Sequence, residues 1–103
     1  MPSLAQPIFS ANRCPQREGY NTIRRGDVVI VGRRPEARYV VVVPLETPQT
    51  LRQIRACIPD AFVAQSSLGS YVHAGGFVDR FTAETVAQLL QSRGADARVV
   101  YFP

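Results

Sequence analysis

Few residues in this sequence are equipped for polar chemistry, and they are scattered: one histidine (His73), two cysteines (Cys14 and Cys57), and twelve basic side chains, all arginine, against eight acids. A lone histidine leaves a histidine-based metal centre, or a nucleophile–base dyad, without its customary partners. No Cys-x-x-Cys pair, phosphate loop or paired-carboxylate motif is present. Gly75-Gly76 precede an apolar-periodic segment, where glycines either open an anion-binding turn or only let strand and helix pack closely. This inventory points to binding rather than catalysis, and calls for no cofactor and no metal.

The net charge of +4 is unevenly placed. Residues 1–38 hold Arg13, Arg17, Arg24, Arg25, Arg33, Arg34 and Arg38 against Glu18, Asp27 and Glu36, whereas residues 39–103 hold five arginines against five acids. Arginine suits bidentate capture of phosphate or carboxylate, so the N-terminal part reads either as an anion-binding arm or as a solvated basic tail. Ser3-Leu4-Ala5-Gln6 has the small residues of a signal-peptide cleavage site, with Gln6 as the first mature residue and the rest of the leader outside the sequence. On that reading the protein is exported, and membrane contact is limited to a removed signal or anchor. Cys14 and Cys57 would then sit in an oxidising compartment and pair as a disulfide; otherwise they are two unrelated thiols, Cys57 serving as a small buried residue.

The elements that must position these residues are written in the apolar pattern. Residues 1–25 carry Pro2, Pro7, Pro15 and Gly19 without sustained period and read as an arm. Val28–Val31, bounded by Gly26-Asp27 and Gly32, reads as a short strand, and the arm (residues 1–35) ends in a turn at Arg33-Arg34-Pro35. Tyr39–Leu45 is a β-branched run and predicts a buried strand. Thr47-Pro48 opens a helix whose Leu51, Ile54 and Ile58 share a face, and Pro59-Asp60 ends it. Phe62–Gln65 and Tyr71–Ala74 are strands joined by a Ser67–Ser70 turn. Asp79 caps a helix through Arg93, with Ala83, Val86, Ala87 and Leu90 on one face and Gly94 as its left-handed stop. Ala97–Phe102 is the last strand.

Residues 36–103 are therefore β-α-β-β-α-β, and the two halves align on each other. Tyr39-Val40 matches Tyr71-Val72, Leu45 matches Phe77, and Ile54 and Ile58 match Val86 and Leu90, all 32 residues apart. Each half is a βαβ unit unable to cover its own apolar face, so the two pack together. The expected fold is α+β: a four-stranded antiparallel sheet of ferredoxin-like or RNP-like order, with the first and third strands central and both helices on one face. The opposite face is left open.

The second half, Tyr71-Val72-His73-Ala74-Gly75-Gly76-Phe77-Val78-Asp79-Arg80, followed by Ala83, Leu89-Leu90, Gly94 and Asp96-Ala97-Arg98-Val99-Val100, resembles a SPOR domain. That family typically reads Tyr-x-Val-Gln-x-Gly-x-Phe, then a helix with alanine and leucine positions, then Gly-x-x-Ala-x-Val. The likeness is strong over residues 71–103 and weak over 39–66; His73 stands where the family usually has glutamine. It implies a periplasmic, non-catalytic module of the bacterial envelope that binds peptidoglycan glycan strands stripped of stem peptides, as at cell-division sites.

Strand alternation puts Tyr71 and His73 on the open face, with Val72 and Ala74 toward the helices. The repeat alignment adds Tyr39, Val41 and Val43 to the open face, together with Phe62, Ser66, Arg98 and Phe102 from the outer strands. Tyr71, His73, Arg98, Phe62, Ser66 and Phe102 are the candidate glycan contacts, since aromatic rings cover sugar faces while polar groups fix orientation. The same apolar face would also suit an envelope protein partner, or be covered by Val28–Val31 or the arm as a second small core. An RNA-recognition domain shares the strand order, but the basic-aromatic motif on its third strand is missing and the domain is neutral, so nucleic acid is not favoured.

Overall fold

The computed structural model describes residues 20–103. The arm before Tyr20, with Cys14 and the cleavage-site residues, lies outside the described residues. Among the described residues the fold is α+β, with two helices and two antiparallel sheets. The elements are β1 (Thr22–Arg25), β2 (Val28–Val31), β3 (Tyr39–Pro44), α1 (Pro48–Arg55), β4 (Phe62–Ser66), β5 (Gly69–Phe77), α2 (Arg80–Ser92) and β6 (Arg98–Tyr101). β1 and β2 form a hairpin, and the other four strands form a sheet in the order β4-β5-β3-β6.

The apolar pattern explains the larger sheet. Val41 and Val43 of β3 and Val72 and Ala74 of β5 enter one buried cluster with Ile54 of α1 and with Ala83, Val86, Ala87 and Leu90 of α2. Both helices thus cover the same side of the sheet, and the strongest β-formers occupy its centre. α1 begins where Thr50 N–H folds back to the Thr47 carbonyl, with Pro48 in the first turn. It ends three residues earlier than the Ile58 pattern predicts, because Cys57 and Ile58 both turn their N–H groups onto the Ile54 carbonyl ahead of Pro59. At α2 the Asp79 carboxylate accepts from Thr82 N–H at 2.8 Å and from the Thr82 hydroxyl, which holds its pKa below the ordinary value. Gly94 closes that helix with φ 93°.

Two expectations are corrected. Thr22–Arg25 is a strand rather than part of a loop: it pairs with Val28–Val31 across Gly26-Asp27. Gly26, at φ 62°, supplies the positive φ that a two-residue type II′ turn needs at its first position. The second correction concerns β3. Val41 and Val43 are buried on the helix side and Tyr39 packs against the same cluster, so these three do not join the open face. The cause is register: Tyr71 opposes Pro44, Val72 opposes Val43 and His73 opposes Val42, and beyond them a β-bulge at Ala74 turns Gly75 and Phe77 to the helix side. One inserted residue inverts side-chain parity. Matching Tyr39 to Tyr71 is sound for sequence but wrong for face, and Val40, Val42 and Pro44 are the residues that share a side with Tyr71 and His73.

Candidate functional site

The open face is built in rows across the strands. Phe62, His73, Val42 and Arg98 are successive ladder partners on β4, β5, β3 and β6, and Ala64, Tyr71 and Pro44 form the next row. Four of the six residues singled out from sequence line one trough of about 430 Å³: Ser66, Tyr71, Arg98 and Phe102, together with Val42 and Val100. The other two sit apart. His73 is only 2% exposed, and its ring stacks on Phe62 with centroids 4.6 Å apart. Tyr71 and Phe102 are half-buried, with ring surface available.

The polar groups are largely matched. Arg98 Nη2 lies 2.9 Å from Asp96 Oδ2 and Arg98 Nε lies 3.2 Å from Oδ1, a bidentate pair that raises the arginine pKa through its hydrogen bond. Among the described residues, the trough's one ionised lining side chain is therefore neutralised by its neighbour. Ser66 Oγ is tied to the Gly69 carbonyl at 3.0 Å, and Ser70 donates to Gln65. Ser66 Oγ also accepts from Leu68 N–H, so it keeps one lone pair for a ligand.

His73 is the exception. Neither ring nitrogen has a hydrogen-bond partner among the described residues. Burial is the main cause holding its pKa below 6.5; its own backbone raises it, Arg33 lowers it and Asp60 raises it. Burial thus favours the neutral imidazole, which stacks on Phe62 apart from the trough's lining.

The face is partly covered, though not by the strand expected to do it. All four side chains of β2 are exposed. Cover comes from the segment after the hairpin: Arg33 lies 4.3 Å from the Phe102 ring centroid, and Phe102 N–H donates to the Arg38 carbonyl. A Cβ on Gly76 would come within 3.0 Å of Ala37 Cβ, so the bare glycine is what lets this segment close over Val40. Asn21 docks beside the part of β5 that β4 does not reach: its amide donates to Ala74 O at 2.9 Å and Asp60 O at 3.1 Å. Sequence reading missed Asn21, Arg33 and Ala37, although Gly26-Asp27 between two β-rich runs was a usable hairpin signal.

Cys57 is buried and disulfide-bonded. Among the described residues no three of His, Cys, Asp and Glu gather to hold a metal ion, and no helix is long and apolar enough to cross a membrane. Comparison with protein-family models, curated proteins and solved structures finds no match for this chain.

Proposed function

We propose that residues 36–103 are a SPOR-like, ferredoxin-like module of the bacterial envelope that binds a peptidoglycan glycan strand in the open-face trough, without catalysing a reaction. One observation carries this reading: Tyr71, Phe102, Ser66 and Arg98, chosen from strand alternation and family resemblance, line a single hollow. Ring surface is available there for sugar faces and hydroxyls for orientation, and the Arg98 charge is already balanced by Asp96. A ligand held this way is recognised by shape and hydrogen bonds rather than by net charge. Export, expected from Ser3–Gln6 and consistent with a disulfide at Cys57, would bring the module to its ligand.

The test is co-sedimentation with purified peptidoglycan before and after enzymatic removal of stem peptides. Wild-type protein should bind stripped strands more tightly, with little change at moderate salt. Replacing Tyr71 with alanine and Arg98 with serine together should weaken binding about ten-fold or more, with an unchanged circular dichroism spectrum. Wild-type affinity in that double variant refutes the site. Binding that collapses at high salt assigns the interaction to the arginine-rich arm instead. Absence of binding by the unmutated chain leaves the envelope-protein docking reading of the same face.

A further inference from the structure

β6 is the last strand of the four-stranded sheet, and among the described residues nothing pairs with its outer edge. The register fixes what that edge offers. Phe102 N–H donates to Arg38 O, and the ladder continues through Val100 opposite Val40 and Arg98 opposite Val42. Residues 98, 100 and 102 therefore turn their backbone groups toward β3, and Val99 and Tyr101 turn theirs outward. Ala97 shares the outward parity, but its carbonyl is occupied by Gln91 Nε2 at 2.8 Å. The open stretch thus starts at Val99, where two N–H and two C=O groups in extended geometry await partners.

Two hollows flank this stretch, one on each side of the sheet. On the helix side is a groove of about 550 Å³ walled by Tyr39, Arg80, Glu84, Gln88, Gln91 and Tyr101. On the open side is the trough, which reaches Val100 and Phe102. Side chains of an added strand would enter these hollows alternately. The groove presents amides and a tyrosine pair with centroids 5.0 Å apart; the trough wall beside β6 is mainly apolar. Charges at the border cancel, since Arg80 is paired with Glu84 and Arg98 with Asp96. A complementary strand is uncharged, with hydroxyl or amide side chains alternating with aliphatic ones. β6 is only four residues long, but no proline, lysine or bulge interrupts it.

We propose that the outer edge of β6 is a docking site for an extended, uncharged peptide segment of a partner protein, alternately polar and aliphatic, which adds to the sheet as a fifth strand. The site borders the trough of the glycan reading but differs in what it recognises, because its main-chain donors and acceptors pair with a polypeptide backbone rather than a sugar.

The experiment uses the full chain and an acetylated, amidated heptapeptide, Ser-Val-Thr-Val-Thr-Leu-Ser, followed by amide hydrogen exchange and fluorescence anisotropy. The expected result is slowed exchange at the Val99 and Tyr101 amides, with the Val63 amide on the far edge strand unchanged. Tyr101→Pro deletes an outward N–H and no ladder hydrogen bond, so the fold should persist while affinity falls about ten-fold. A second probe avoids altering the protein: the heptapeptide N-methylated at every other residue should fail to bind in one of its two phasings and bind in the other. Protection mapped to β4 or β2, undiminished binding by Tyr101→Pro, equal binding of both N-methylated phasings, or no binding of the unmodified peptide overturns the proposal.

Discussion

At His73 a titratable ring lies buried with no hydrogen-bond partner among the described residues, on a sheet face where an exposed side chain was expected. Its folded pKa is lowered, chiefly by burial, so as pH falls through 6.5 the unfolded chain takes up a proton that the folded one resists. Stability from this residue is full above that value and lost on acidification toward the lower, folded pKa. No other histidine titrates in the window. Urea unfolding at about pH 7.5 and 5.5 should show a lower midpoint at the acid pH for wild type and a smaller drop for His73→Gln; equal drops would place the effect elsewhere. Asn21 is the other decisive buried polar group, fully buried and holding the Ala74 and Asp60 carbonyls. Asn21→Ala should lower stability by about 1–3 kcal/mol, because those carbonyls lose their donor and stay shielded from water. Chemical denaturation measures this directly, and a neutral result would mean that the segment before β1 is not anchored through Asn21.

At the scale of elements, two small backbone devices decide what the open face looks like. The bulge at Ala74 turns Phe77 away from the open face and into the helix-side core, and the bare Gly76 lets Ala37 close over the sheet. Gly76→Ala would put a Cβ 3.0 Å from Ala37 Cβ and 3.1 Å from its carbonyl oxygen, so it should cost about 1–3 kcal/mol through crowding. Gly32→Ala meets nothing within 4 Å and should be close to neutral. Thermal melts of the two variants side by side check the pair: equal melting temperatures would mean that the linker yields freely and does not press on the sheet. Secondary structure itself was readable here because its signals are local. Asp79, Gly94, Thr47-Pro48 and the Val/Leu/Ala spacing each act within one turn, and the helices and strands lie near where they indicate. The bulge was not readable, because a one-residue offset between paired strands leaves no local mark.

For the molecule as a whole, Cys57 is a buried, disulfide-bonded residue just after α1, and the sequence holds one other cysteine, Cys14. Thiol titration of the unreduced protein should find no free thiol, and peptide mapping should join Cys14 to Cys57. Reduction should then lower unfolding stability by about 2–4 kcal/mol, since the bond restricts the unfolded chain; two free thiols in the native protein would contradict the pairing. The sequence by itself determined the element order, the pairing of two similar halves around one helix-covered core, and the charge split between a basic N-terminal part and a neutral domain. These follow from residue type, short-range spacing and composition, which carry their physical meaning without neighbours. Only the tertiary structure decided which side of β3 faces the helices, that Arg33 and Ala37 rather than β2 dress the opposite side, that Asn21 docks at the edge of β5, and that His73 is enclosed while Tyr71, Ser66, Arg98 and Phe102 share one hollow. Those outcomes depend on strand register and on contacts between residues tens of positions apart, and no local pattern in the chain encodes them.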